Sequence, residues 1–366
     1  MKNFLSLVVL IFALLNGYSQ HKLDSILPVR GISMAAPNPD GVDKFVDFIN
    51  DALAPRNLNT MVLRVDYRYQ YKSRPELVDE NALSESDVKK IVKACKQAGI
   101  SVIPQVNMLG HQSWFNNVGK LLQEYPQFNE TPEVPVDRDI EWPNEWGLYC
   151  LSYCPLHPEV HEVIFEVIDE IVAVFEADAF HAGMDEVFFL GMDERCKGRD
   201  NAELFAGEVT VLRNHLARNN KKLWIWGDRL IDGRTTGIGL WEGSYNNTHR
   251  AIDMIPKDVV INDWHYERPD PTAAYFALKG FNVVTCPWRF PDVTKKQLQM
   301  MLDFKEGATD EVKGRYQGMM HTVWTSAENT IEQFYGRQDA NSTRGGNWVE
   351  AFKAMYDEIE KLEERF

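Results

Sequence analysis

Short apolar runs rich in β-branched residues recur along the chain, and between them come longer stretches in which apolar positions return every three or four residues. The runs are Val29 to Met34, Thr60 to Val65, Ser101 to Asn107, Ala179 to Met184, Lys222 to Trp226, Val259 to Trp264, Asn282 to Thr285 and Met319 to Trp324. Helical periodicity is clearest over Ser84 to Ala98, Pro158 to Phe175, Ala202 to Asn219, Pro271 to Leu278 and Trp348 to Glu364. Strands that alternate with helices form a parallel sheet, and eight such units predict the α/β class and a closed (β/α)8 TIM barrel. The largest interruption, about Tyr125 to Pro155, precedes the fourth strand and is rich in Pro, Glu and Trp. A loop of that length usually builds or covers a site. No internal repeat or linker marks a second domain.

The N-terminus departs from this pattern. Lys2 precedes an apolar run from Phe4 to Leu15, followed by the small residues Gly17 and Ser19. This is the layout of a secretory signal over residues 1–19, too short for the roughly 20 apolar residues of a spanning helix. Residues 20–366 are then one barrel domain, expected to be exported to the periplasm or secreted, with no membrane span. A formal charge of −15 argues against a nucleic-acid partner or an anionic membrane surface and favours a small or neutral substrate. Ten Trp and 13 Tyr suit the apolar faces of sugars as well as an ordinary core. The five cysteines, Cys95, Cys150, Cys154, Cys196 and Cys286, leave at least one thiol free. Cys150 and Cys154 are close enough in sequence for a local bridge, and no spacing resembles a zinc site.

In a barrel the chemistry sits at the C-terminal ends of the strands. Read there, the chain offers Asp66, Asn107, His111, Asp185, Glu186, Trp226, Asp228, Asp263, Trp264, His265, Trp288, Arg289 and Trp324, with Arg30 in the first strand. Acids, a histidine, an arginine and several tryptophans at one mouth describe a sugar cleft with a carboxylate pair. The proximity of Asp185 and Glu186 is expected to raise the pKa of one and keep it protonated as a general acid. Trp224 is expected to turn away from Trp226, toward the outer helices.

At these positions the sequence resembles the family 20 glycoside hydrolases, the β-N-acetylhexosaminidases. HAGMDEV at His181 to Val187 is similar to their His-x-Gly-x-Asp-Glu signature. LPVRG at Leu27, QVNMLGHQS at Gln105, LWIWGDRLI at Leu223 and MMHTVWTS ending at Ser326 follow in the family's order. The resemblance implies a retaining exo-glycosidase acting on terminal β-linked N-acetylhexosamine, in which the substrate's own acetamido carbonyl is the nucleophile. Asp185 would orient the acetamido group, and Glu186 would serve as acid and then base. His111 with Asp66 would support the acid, Arg30 would bind sugar hydroxyls, and Trp226, Trp264, Trp288 and Trp324 would wall the pocket. It implies no metal and no cofactor, and an oligosaccharide or glycoconjugate as the partner.

Departures from the family pattern fall on the groups that read the sugar. After the seventh strand the family carries a Tyr and an Asp two residues apart. Here CPWRFPDVT offers no Tyr, so Asp292 stands for the Asp and Tyr266 of the preceding loop for the hydroxyl. A frequent Glu after the last strand is replaced by Ser326, and an Asp pair after the second by Asp66 alone. Two alternatives remain at this stage: a catalytically weak barrel that binds carbohydrate, and a hydrolase for a different N-substituted amino sugar. Trp142 and Trp146 are read equally as a platform for the leaving group or as packing for their own loop.

Overall fold

The computed structural model describes residues 22–114, 117–133 and 150–365, so the leader at 1–19, Trp142 and Trp146 lie outside the described residues. Eight parallel strands close into a barrel in sequence order: β1 (Val29–Ala35), β2 (Thr60–Arg64), β3 (Ser101–Met108), β4 (Ala179–Gly183), β5 (Lys222–Trp226), β6 (Val260–Trp264), β7 (Asn282–Cys286) and β8 (Tyr316–Thr322). β8 returns to β1 with Arg30 opposite Met319 and Ile32 opposite His321. Closure requires Gly318, whose φ is +133° and whose Cβ, were there one, would lie 2.1 Å from the Val29 carbonyl oxygen. Each sequence-predicted strand is present, with boundaries shifted by three residues at most.

Among the described residues the longer α-helices are α1 (Val42–Phe48), α2 (Glu85–Gln97), α3 (Val160–Val174), α4 (Asn201–Ala217), α5 (Thr272–Leu278), α6 (Pro291–Gly307), α7 (Ala327–Phe334) and α8 (Trp348–Glu363). Local sequence sets several boundaries. Ser84 and Asp87 form a reciprocal capping box at the start of α2, and the Asn347 side chain accepts the Val349 and Glu350 amides to begin α8. Sequence periodicity does not reveal α6, because its inward face carries Thr294, Gln297 and Lys305 beside Leu298 and Met301. Those polar side chains are buried because each finds a backbone acceptor. Gln297 donates to the His265 carbonyl, 2.9 Å, Thr294 to Phe290, 3.0 Å, and Lys305 to Ile26, 2.7 Å.

Two apolar layers result. The larger lies between barrel and helices, and the smaller fills the lumen with Val62, Ile103, Trp224, Trp226, Val260, Val284 and Met320 among others. Trp224 therefore shares the lumen with Trp226, against expectation. Residues two apart on a strand share a face, and the outward position between them belongs to Ile225. Among the described residues, no helix is long and apolar enough to cross a membrane.

Candidate active site

At the C-terminal mouth of the barrel, the chain leaves its strands through an unusual number of left-handed residues. Asp66 after β2 has φ +49°, Leu109 and His111 after β3 have +61° and +53°, and Met184 and Glu186 after β4 have +66° and +50°. Non-glycine residues seldom adopt this region, and such strain concentrates where a site dictates side-chain direction. Gly183, φ +65°, lets β4 approach β3 so closely that a Cβ would stand 2.3 Å from Asn107 Oδ1. The turn that follows brings Asp185 and Glu186 to one ligand instead of to opposite faces.

That ligand is His111. Its Nε2 lies 3.1 Å from Asp185 Oδ2 and 3.3 Å from Glu186 Oε2. Burial disfavours the imidazolium, but Asp185 and Cys150, through charge and hydrogen bonding, together outweigh it and hold His111 well above the usual histidine range. Conversely, burial would push the Asp185 carboxyl up, while the charge of His111 and its hydrogen bond leave it below its ordinary value. Two carboxyls at the mouth are pushed up by burial: Asp66, and Asp228 just after β5, the latter to about 6, with Arg229 opposing and Asp185 adding to the shift. Asp228 connects the parts: its Oδ2 accepts the Glu186 amide at 2.9 Å and Arg229 Nε at 2.7 Å, and its Oδ1 accepts Trp264 Nε1 at 3.2 Å.

Aromatic rings wall the mouth. Trp226 faces Trp324 at 6.0 Å between ring centroids, Tyr266 meets Trp264 at 4.9 Å and Trp288 at 5.2 Å, and Trp324 Nε1 donates to the Tyr266 hydroxyl oxygen at 2.7 Å. Tyr266 thus sits among the aromatic rings at the mouth, with its hydroxyl on Trp324.

Three expectations need correction. Arg30 is fully buried near the opposite, N-terminal end of β1, donating to the Leu27 and Asn57 carbonyls and pairing with Asp24 at 2.9 Å. It fastens the barrel floor, whereas Arg64, the last residue of β2, reaches the mouth with its guanidinium 4.8 Å from the Trp324 ring centroid. Asp66 acts on His111 through charge, and its carboxylate is hydrogen-bonded elsewhere. Its Oδ1 accepts the Asn107 amide at 2.9 Å, while the Asp185 and Glu186 carboxylates and the Cys150 sulfur contact the His111 ring. Asp292 is exposed in the first turn of α6, outside the aromatic cluster. Ser326, where the resemblance led us to look for a Glu, caps α7 by accepting the Asn329 amide.

Sequence reasoning overlooked Arg64, Asp228 as an organiser, and Cys150. Arg64 could have been found as the last polar residue before Asp66. Cys150 carries no local signal, because only the return of the long loop sets its Sγ 3.3 Å from His111 Nδ1 and 3.5 Å from Glu186 Oε2. All five cysteines are free and buried, and Cys154 neighbours Cys196, with sulfurs 3.2 Å apart, instead of Cys150.

The chain is similar to known proteins in sequence and in fold. A lacto-N-biosidase of Bifidobacterium bifidum is 22% identical over 64% of this chain and 19% of its own length. Beta-hexosaminidase 1 of Coccidioides posadasii is 21% identical over 84% of the chain and 58% of its own length. The chain thus spans about a fifth and under three fifths of these two relatives. The crystal structure of Flavobacterium johnsoniae chitobiase superposes with a TM-score of 0.60 at 16% identity, covering 92% of this chain and 51% of that one, a likeness of fold. The model of the glycosyl hydrolase family 20 catalytic domain matches residues 51–354, and with the closed barrel this establishes that the chain belongs to glycosyl hydrolase family 20.

Proposed function

We propose that the protein is a retaining exo-glycosidase that releases terminal β-linked N-acetylhexosamine, GlcNAc or GalNAc, using the substrate's acetamido group as nucleophile. The observation that carries the reading is the division of labour within Asp185. Its Oδ2 is fixed by His111, while its Oδ1 is buried without a hydrogen-bond partner. A buried carboxylate oxygen of this kind is stabilised by an incoming N–H donor, and an acetamido N–H aligned on it directs the adjacent carbonyl oxygen at the anomeric carbon.

The reaction then proceeds in two displacements. The carbonyl oxygen bonds to the anomeric carbon as the glycosidic bond breaks, and Glu186 gives its proton to the departing oxygen. Asp185 stabilises the positive charge that develops on the acetamido nitrogen. Glu186, now a carboxylate, takes a proton from water, whose oxygen attacks the anomeric carbon and reopens the ring with retention. Trp226, Trp264, Trp288 and Trp324 exclude bulk water and cover the sugar face, Tyr266 meets the acetamido carbonyl, and Arg64 meets ring hydroxyls. The apolar N-terminal run supports export, which N-terminal sequencing of the secreted protein tests.

Turnover of nitrophenyl β-N-acetylglucosaminide and β-N-acetylgalactosaminide tests the function. Glu186→Gln and Asp185→Asn are each expected to lower kcat by about 10²–10⁴-fold. Equal turnover of the corresponding glucoside, which lacks the acetamido group, would defeat substrate assistance. Binding of N-acetylglucosamine without any turnover would defeat the hydrolase reading.

A further inference from the structure

We propose that His111, Cys150 and Glu186 form a binding site for a thiophilic divalent cation of the zinc class, and that its occupation withdraws Glu186 from the substrate. None of the acid–base steps above uses Cys150, yet its fully buried sulfur is set against both His111 and Glu186.

The geometry separates this group from other candidates. A tetrahedral zinc with its sulfur at about 2.3 Å and its nitrogen and oxygen at about 2.0–2.1 Å needs edges of about 3.3 Å between N and O and about 3.5 Å from S to either. Here Nε2 to Oε2 is 3.3 Å, Sγ to Oε2 is 3.5 Å and Sγ to Nε2 is 3.9 Å. Two edges match, and the third, 3.9 Å, is longer than the tetrahedral value of about 3.5 Å. Asp185 Oδ2, 3.1 Å from Nε2, stands beside the fourth position. The group of Glu130, Cys154 and Cys196 fits less well, since its sulfurs are 3.2 Å apart where two zinc-bound thiolates need about 3.8 Å. Glu242, His265 and Asp270 offer no sulfur, and both His265 nitrogens are already engaged, by Glu242 at 2.6 Å and Asp263 at 3.1 Å.

Thiolate, imidazole and carboxylate together select a borderline-soft ion over magnesium or calcium. Binding forms bonds from the cation to Sγ, Nε2 and Oε2 while Cys150 S–H and His111 Nε2–H each release a proton to solvent. No electron is transferred. The cation then replaces the imidazolium as counter-charge to the two carboxylates and blocks the proton that Glu186 must deliver.

The site itself does not depend on the hydrolase reading, and its test is spectroscopic. Cobalt(II), a zinc surrogate, titrated into the full chain under reducing conditions is expected to give a thiolate-to-cobalt charge-transfer band. Chelator competition is expected to show one equivalent of zinc. Cys150→Ser and Cys150→Ala should each abolish the band and weaken zinc binding by at least about tenfold, while Cys154→Ser keeps both. Zinc should also inhibit turnover competitively, with reversal by EDTA. Absence of the band in the folded wild type, or its survival in folded Cys150→Ala with loss in Cys154→Ser, would overturn the assignment. If no substrate is turned over at all, only the hydrolase reading fails and the cobalt spectrum still decides.

Discussion

The two arginines illustrate how much the end of a strand matters. Arg30 and Arg64 lie on neighbouring strands, but Arg30 is second in β1 and Arg64 last in β2, so they address opposite ends of the barrel. Arg30→Ala is expected to cost roughly 2–4 kcal/mol, because it leaves a cavity and unpaired carbonyls in the floor, with KM unchanged. Arg64→Ala should raise KM by about tenfold, the loss of about 1.4 kcal/mol of sugar contact, with little change in melting temperature. Denaturant unfolding and steady-state kinetics on both variants check this, and an Arg30→Ala protein of normal stability and raised KM would reverse the assignment. The Asp185–Glu186 dipeptide was legible as a strand-end acid pair because its motif is contiguous. Asp228 was read as a strand-end residue and Arg64 was not singled out, because the placement of both depends on partners from other strands.

At the level of elements, the loop between β5 and β6 is fastened to the mouth by charge. Arg229 donates to the carbonyls of Leu240, Trp241 and Gly243 at 2.8–2.9 Å, and His265, just after β6, bridges Asp263 and Glu242. Burial opposes charge on His265, yet Asp263 and then Glu242 raise its pKa from 6.5 to about 10. The folded state therefore holds a proton that the unfolded chain releases first. The resulting stability is complete below about pH 6.5 and disappears as pH rises toward about 10. Urea unfolding between about pH 7 and about pH 9.5 should show a decline of several kcal/mol in the wild type and a flatter one in His265→Gln. Equal slopes would refute the bridge. The strands behind these loops were placed by period and β-branching, whereas α6 was missed because tertiary acceptors permit polar side chains on its inner face.

The whole molecule depends on ring closure. α8 lays Trp348, Phe352, Met355, Tyr356 and Ile359 against the barrel, and the Tyr356 hydroxyl donates to the Gly31 carbonyl at 3.3 Å, joining the last helix to the first strand. Phe352 is fully buried, so Phe352→Ala should cost about 3–5 kcal/mol while unfolding remains a single transition. Calorimetry that resolved two transitions in the variant would show that α8 and the barrel do not form one cooperative unit.

The sequence by itself determined the class of fold, the order of the eight strands and the positions of Asp185 and Glu186, because hydrophobic period and a contiguous motif are local properties. Parity along β5 was equally local, and it places Trp224 beside Trp226 in the lumen. Tertiary structure alone decided that His111 joins both carboxylates, that Asp228 holds the Glu186 amide and the Trp264 indole together, and that Cys150 returns to the acid from a loop beginning far away in sequence. Distances between side chains on different strands are set by strand register, left-handed turns and burial acting together, and no local pattern encodes them.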